Sequence, residues 1–277
     1  MDDFREDIEK YPELKSDFSW YDMTREEKME HWWRRNNMVA KIDRKRYFDE
    51  CHSDRYGFWS FLHIGNNPLT VHLGMFVKCV EFLASEEQSR KWLPRVKALN
   101  ILGCYAQTEL GHGSNVRDLE TTATLDMETD EWVLHTPSIR AYKFWPGSMG
   151  ITANHTVLFA RAKVGENDYG VCSFFVQIRD IDTHVLMPGV TAGDLGAKLG
   201  YNSVDNGFLA FDQVRIPRTD MLSRFSSVAK DGSFELNGDP RLLYNIMVQT
   251  RMDIIRGCGF KLMQCLVIAT RYAVCRR

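Results

Sequence analysis

The chain has 277 residues, 44% hydrophobic and 12% aromatic, with 37 acidic against 35 basic residues and a formal net charge of −2. That length buries a core for one large domain or two, and the near-neutral balance carries no nucleic-acid or membrane-surface signature. No apolar run approaches the ~20 residues that span a bilayer. The acidic start, Met1-Asp2-Asp3-Phe4-Arg5-Glu6-Asp7, lacks the apolar stretch of a secretory signal and the arginines of a transit peptide, so an intracellular protein is expected. Cys51, Cys79, Cys104, Cys172, Cys258, Cys265 and Cys275 form no C-x-x-C pair and read as free buried thiols, without a metal site or a disulfide framework.

Residues 1–98 read as an N-terminal helical domain. Thr24 and Glu27 form a capping-box signature, after which Met29, Trp32, Trp33, Val39 and Ile42 fall near one helical face. The Trp32-Trp33-Arg34-Arg35 cluster reads as core aromatics, with ligand stacking the weaker alternative. A second helix is predicted over Leu69 to Phe82, where His72 is a core histidine. A third starts at Ser85, whose partner in a second box is Gln88, and Pro94 marks its end.

Residues 99–218 change to period two and read as a middle antiparallel β-domain, barrel-like. Thr122, Thr124 and Trp132-Val133-Leu134 flank the turn Glu128-Thr129-Asp130 as a hairpin. Thr156 to Ala160, the loop Gly165 to Gly170 and Val171 to Ile178 form a second strand pair. Phe208 to Phe211 and Val214 to Ile216 close the series. Residues 219–277 begin a C-terminal helical domain, with Asp239 as N-cap and Pro240 at the first helical position. Leu242, Ile246, Ile254, Ile255, Leu262 and Leu266 give it a broad apolar face, weakened at Gly257 and Gly259. The chain stops at Arg276-Arg277 inside a helical pattern with no stop signal, which reads as a truncation.

The stretch least like scaffold is Gly103-Cys104-Tyr105-Ala106-Gln107-Thr108-Glu109-Leu110-Gly111-His112-Gly113-Ser114-Asn115. An apolar strand runs into a loop where Gly111 and Gly113 permit positive φ and close backbone approach, and Thr108 and Ser114 offer hydroxyls. Such a loop holds a phosphate or a flat heterocycle, although glycine spacing alone describes a plain surface turn as well. The string itself resembles the flavin-contacting segment of the acyl-CoA oxidases, the peroxisomal branch of the acyl-CoA dehydrogenase superfamily. The resemblance continues through Leu119 to Thr124, Trp145-Pro146-Gly147, Asp205-Asn206-Gly207-Phe208, Val214 to Arg218 and Ala269-Thr270-Arg271-Tyr272. It covers residues 65–277 firmly and the first 64 more loosely.

The resemblance implies an α+β fold of this oxidase/dehydrogenase type and FAD-dependent oxidation of acyl-CoA by O2 to trans-2-enoyl-CoA and H2O2, in peroxisomal fatty-acid β-oxidation. By the same resemblance Tyr105, Ala106, Gln107 and Thr108 line the flavin, and Gly113 and Ser114 follow its ribityl and pyrophosphate portion. Gly147 makes a backbone contact to the ring, and Arg276 begins a motif reaching FAD across a dimer interface. Phe144 and Ser148 depart from the family's Trp-Trp-Pro-Gly-Gly: phenylalanine keeps an aromatic wall without an N–H donor, and serine reduces backbone freedom. Arg241, Leu242, Leu243, Tyr244 and Arg251 match the segment lining the acyl-CoA groove. On residue type alone the two arginines are surface charges. The family's catalytic glutamate lies beyond Arg277, so this chain is expected to be inactive alone, and Arg276-Arg277 is no peroxisomal signal. The partner implied is a second acyl-CoA oxidase chain in a homo- or heterodimer. The alternative is a non-catalytic chain that pairs with or regulates a full-length oxidase.

Overall fold

The computed structural model describes residues 10, 11, 14, 22–46, 67–239, 242 and 245–276. Helix α1 (Arg25–Arg46) starts where the box predicts: the Glu27 N–H donates to Thr24 Oγ1 (3.2 Å) and the Thr24 N–H to Glu27 Oε2 (2.7 Å). Its buried stripe is Met29, Trp32, Val39, Ala40 and Ile42, with Trp33 half-buried, so the tryptophan pair is packing rather than a stacking platform. The second helical segment opens as a π-helical turn, His72–Phe76, and continues as α2 (Val77–Leu83). Helix α3 (Glu86–Lys97) has its Ser85–Gln88 box in place. Pro94 does not end it. The proline costs one N–H near the last turn, while its carbonyl still accepts from the Ala98 N–H (3.0 Å), so the helix runs on to Lys97.

The organising strand of the sheet is β5 (His155–Val164). One edge pairs antiparallel along β6 (Asn167–Gln177). The other edge is shared by β1 (Gly103–Ala106) and β2 (Thr122–Asp126), both parallel to it. β3 (Glu131–His135) and β9 (Val214–Pro217) extend the sheet antiparallel beyond β2. A second sheet sets β8 (Gly207–Phe211) between β4 (Lys143–Phe144) and β7 (Val190–Asp194), and β10 (Ser226–Val228) pairs with β11 (Phe234–Leu236). The main sheet is therefore mixed rather than antiparallel, because β1 and β2 both lie alongside β5 in its own direction. The expected 165–170 loop shrinks, since β5 and β6 run through to a tight turn at Gly165-Glu166 with Gly165 at φ 56°.

Alternation explains why β5 is buried on both faces. Leu158, Ala160 and Ala162 face a core with Trp132, Leu134, Phe174 and Leu209, while Val157 and Phe159 face Phe76, Val80, Leu83 and Trp92 of the helices. Phe175 belongs to the helix-side part, stacked on Trp92 with ring centroids 4.2 Å apart. The apolar run that sequence periodicity assigns to one helix is α4 (Asn245–Cys275). Pro240 lies outside the described residues, and the Leu242 N–H donates to the Asp239 carbonyl (2.9 Å). Ile246 is buried and Lys78 pairs with Asp253, so the first turns dock on α2. Further along, Met252, Ile255, Leu262 and Leu266 are exposed, as are Cys258, Cys265 and Cys275, contrary to the expectation of buried thiols. Cys79, Cys104 and Cys172 are buried, which raises each thiol pKa and keeps it protonated.

His155, at the start of β5, is buried, and burial followed by the nearby Arg95 charge lowers its pKa to about 4. Between about 4 and the ordinary 6.5 the unfolded chain binds a proton that the folded chain does not. The contribution is whole above pH 6.5 and is lost as pH falls, amounting to about 3 kcal/mol at most. Chemical unfolding at pH 7 and pH 4.5 should show a smaller acid loss in His155→Gln than in wild type; equal losses would mean that His155 does not titrate with unfolding.

Candidate functional site

Two chain segments meet at the ends of β1 and β4. The Phe144 N–H donates to the Thr108 carbonyl (3.0 Å) and the Leu110 N–H to the Tyr142 carbonyl (2.9 Å), so residues 107–110 run beside 142–145. The structure thus brings Tyr105, Ala106, Gln107 and Thr108 together with the Phe144-Trp145-Pro146-Gly147 turn, which sequence order alone keeps apart. Ala106 is fully buried. Tyr105 packs on Phe159 with centroids 4.9 Å apart, and its hydroxyl donates to Gln107 Oε1 (3.0 Å).

Beneath the loop lies an ion pair. Lys143 and Glu109 have side chains with 0% exposure, and Lys143 Nζ lies 2.9 Å from Glu109 Oε1. The ammonium also donates to the carbonyls of Gln107 (3.2 Å) and Phe159 (2.6 Å), which uses its three N–H groups. Glu109 accepts in addition from the Glu120 N–H (2.8 Å) and the Thr121 N–H (3.0 Å). Burial on its own would raise the Glu109 carboxyl, but the Lys143 charge and these hydrogen bonds hold it below the usual range. Burial pushes Lys143 down to about 8, with Glu109 offsetting part of the shift.

From Thr108 to Leu110 the backbone N–H groups pair off with one exception. The Gln107 carbonyl is taken by Lys143, and the Thr108 carbonyl by the Phe144 N–H. The Glu109 N–H goes to the His112 carbonyl (3.2 Å), and the Glu109 carbonyl accepts from the His112 N–H (3.0 Å). Among the described residues neither the Thr108 N–H nor its hydroxyl has a partner. Thr108 itself is half-buried.

The facing turn is strained. Trp145 and Ser148 take left-handed backbone conformations (φ 61° and 67°), unusual for a bulky residue, and Trp145 is 59% exposed. Its position is fixed from behind. The Asn206 amide donates to the Trp145 carbonyl (2.9 Å), the Gly207 N–H to the Pro146 carbonyl (3.0 Å), and Ser148 Oγ to the Pro68 carbonyl (2.6 Å). Ser148 therefore adopts the conformation that glycine would favour and is buried there. Arg179 reaches the carbonyls of Met149, Gly150 and Ala153 (3.0, 2.9 and 2.6 Å), and Asp205 accepts from the N–H groups of Ile151 and Thr152 (2.8 and 2.7 Å). A Cβ on Gly147 would lie 2.5 Å from Val71 Cγ2 and 3.1 Å from Val204 Cγ1, so glycine is required for packing. The π-helical turn touches both segments. His72 Nδ1 accepts from the Gly103 N–H (3.0 Å), and the ring is buried in the core as expected.

Other expected site residues are placed differently. Gly113 and Ser114 are exposed, neither Gly111 nor Gly113 has a positive φ, and a Cβ on Gly113 would meet nothing within 4 Å. Leu242 is half-buried, while Arg241, Leu243 and Tyr244 lie outside the described residues. Arg251 and Arg276 are exposed on α4 and just past its end; the Arg276 guanidinium lies 5.6 Å from the Tyr272 ring centroid. Sequence reasoning missed Lys143 and Arg179, and gave Asp205 no role beyond its place in the Asp205-Asn206-Gly207-Phe208 match. For Lys143 a signal exists: in Ala141-Tyr142-Lys143-Phe144 the buried residues alternate, so strand parity points the lysine inward.

Residues 2–102 match the acyl-coenzyme A oxidase N-terminal family, and residues 104–214 the acyl-CoA dehydrogenase middle domain. Peroxisomal acyl-coenzyme A oxidase 1 of Arabidopsis thaliana is 48% identical over 221 residues, covering 78% of this chain and 33% of the relative. Acyl-coenzyme A oxidase acox-1.2 of Caenorhabditis elegans is 38% identical over 275 residues, 98% of this chain and 41% of the relative. The chain thus spans about a third to two fifths of these relatives. Among solved structures, Arabidopsis thaliana acyl-CoA oxidase 1 superposes with a TM-score of 0.90 at 39% identity over 100% of this chain and 42% of its own. Acyl-CoA oxidase-2 of Caenorhabditis elegans, bound with FAD, ascaroside-CoA and ATP, superposes at 0.93 with 37% identity, covering 99% of this chain and 42% of its own. The chain belongs to the acyl-CoA oxidase family, of which it carries the N-terminal and middle domains.

Proposed function

We propose that this chain provides the flavin-binding part of a peroxisomal FAD-dependent acyl-CoA oxidase, dividing at about residues 98 and 218 into helical, flavin-contacting and helical parts. One observation carries the reading: among the described residues the N–H and hydroxyl of Thr108 have no partner, and the Thr108 carbonyl is paired with the Phe144 N–H beside the strained, exposed Trp145 turn. These residues fit a flavin. Thr108 would hold the polar ring edge, Trp145 and Gly147 the ring, Tyr105, Ala106 and Gln107 its wall, and Gly113 and Ser114 the open path of the ribityl and pyrophosphate groups. Arg276 would reach FAD from a paired chain, and Arg241, Leu242, Leu243, Tyr244 and Arg251 would line the acyl-CoA groove. When bound, FAD supplies the acceptor for the hydride leaving the thioester β-carbon and passes the electrons to O2.

The α-proton needs a positioned base, and Glu109 does not supply one. It is enclosed, paired with Lys143 and fully hydrogen-bonded. A general base is worth about 10²–10⁴ in rate, so residues 1–277 alone are expected to bind FAD yet to bleach it with acyl-CoA at least about a hundredfold more slowly than a full-length oxidase. Anaerobic mixing followed by flavin absorbance tests this. Bleaching at the full-length rate would place a base within these residues.

A second reading, a non-catalytic chain that pairs with a full-length oxidase, draws on α4. Met252, Ile255, Leu262 and Leu266 repeat at helical spacing and are exposed, an apolar stripe suited to burial against further oxidase helices.

A further inference from the structure

We propose that Lys143 is a positioning residue for the flavin loop: seated on the Gln107 carbonyl, its ammonium holds the Gln107–Thr108 peptide in the orientation that turns the Thr108 N–H toward the ligand edge. This rests on the flavin reading above and adds the device that aims the donor.

In a planar trans peptide the C=O and the following N–H point in opposite directions. Lys143 Nζ has no solvent exposure, so the Gln107 carbonyl it binds at 3.2 Å points inward and the Thr108 N–H points away from the interior. The other peptide groups from Thr108 to Leu110 are fixed by Phe144, His112 and Tyr142. The Gln107–Thr108 peptide alone is held by a side chain, and flipping it would turn the Thr108 N–H toward the ammonium. The anchor is rigid because the same ammonium is tied to β5 through the Phe159 carbonyl (2.6 Å) and to the start of β2 through Glu109, which accepts from Glu120 and Thr121. Three acceptors, two from the loop and one from β5, match the three N–H groups of a lysine. Glu109 balances the charge that lets the ammonium stay buried. Its place beside the loop is thereby explained without a part in proton transfer.

The test separates aim from stability. Glu109→Gln keeps a lysine donor on the Gln107 carbonyl; Lys143→Met/Glu109→Gln removes that donor without leaving an unpaired charge. FAD titration by flavin absorbance, with thermal melting alongside, is run on wild type, both variants and Thr108→Val. The double variant should melt close to Glu109→Gln yet bind FAD about tenfold more weakly, the equivalent of ~1.4 kcal/mol, with a displaced flavin absorbance maximum. If the double variant matches Glu109→Gln in affinity and spectrum while Thr108→Val weakens binding, the positioning role is overturned and the flavin reading stands. If Thr108→Val changes nothing either, the flavin reading falls and the proposal with it. Should the double variant fail to fold, the wild-type protein decides: the Gln107 carbonyl carbon and Thr108 amide NMR shifts should move together as Lys143 is titrated at alkaline pH, and fixed shifts overturn the proposal.

Discussion

Lys143→Met should destabilise the protein by about 3–5 kcal/mol, the usual consequence of leaving one partner of a buried ion pair without its countercharge. Methionine fills much of the lysine volume, so the loss comes chiefly from Glu109, whose carboxylate would remain enclosed. The pH dependence identifies this cause. In wild type the Glu109 pKa is held low, so its stabilisation is present above the ordinary 4.5 and is lost as pH falls through the folded value. In the variant, burial without Lys143 raises that pKa above its unfolded value, so the folded state takes up a proton first and the deficit shrinks as pH falls. Equilibrium unfolding of wild type and variant at pH 7.5 and pH 5 should show the gap narrowing at pH 5. A gap independent of pH would assign the loss to packing, and Lys143→Met/Glu109→Gln should recover most of it.

Gly207→Ala should be the second large effect, because the new methyl has no flexible neighbour to displace. A Cβ there would lie 2.5 Å from the Gly193 carbonyl oxygen, 2.7 Å from Gly150 N and 2.9 Å from Gly150 Cα, all backbone atoms. Overpacking of this kind costs about 1–3 kcal/mol and exceeds the ~0.4–1 kcal/mol that alanine gains by restricting the unfolded chain. The strain would reach the site, since the Gly207 N–H holds the Pro146 carbonyl and Asn206 holds that of Trp145. Gly113→Ala is the control: its Cβ meets nothing within 4 Å, so stability should change by less than about 0.5 kcal/mol. If the cofactor runs along Gly113, FAD affinity should fall even so. Equal melting of Gly207→Ala and wild type would show that the β7–β8 backbone yields, and with it that the turn is not held as described.

What the residues alone disclosed depended on how local each signal was. Both capping boxes were legible because Thr24 with Glu27, and Ser85 with Gln88, satisfy each other within one turn. The β2–β3 hairpin was legible because Asp126 binds the N–H groups of Glu128 and Thr129 in its own turn. Strand direction was not. Alternation states which face is buried, and says nothing of whether β1 and β2 run with β5 or against it. Nor does alternation tell that α4 would expose Leu262 and Leu266, since a helix face is apolar whether or not its partner is at hand. At the site, the ligand reading came from the resemblance of the 103–115 string and the Trp145-Pro146-Gly147 turn to the flavin segments of the oxidases, whereas Asp205 and Arg179 look like surface residues until the fold encloses them, and only strand parity hints that Lys143 is buried. Their hydrogen-bond partners lie 16 to 54 residues away in sequence, beyond any local pattern.

The most direct test of the central claim, that FAD binds where the 105–108 loop meets the 144–147 turn, is FAD titration of wild type beside Thr108→Val. The substitution keeps volume and removes a hydroxyl worth about 0.5–1.5 kcal/mol when hydrogen-bonded. The account predicts that wild type binds FAD with a perturbed flavin spectrum and that Thr108→Val binds it roughly three- to tenfold more weakly at unchanged melting temperature. Identical affinity and spectrum in the two proteins, or no FAD binding by a folded wild type, would contradict it.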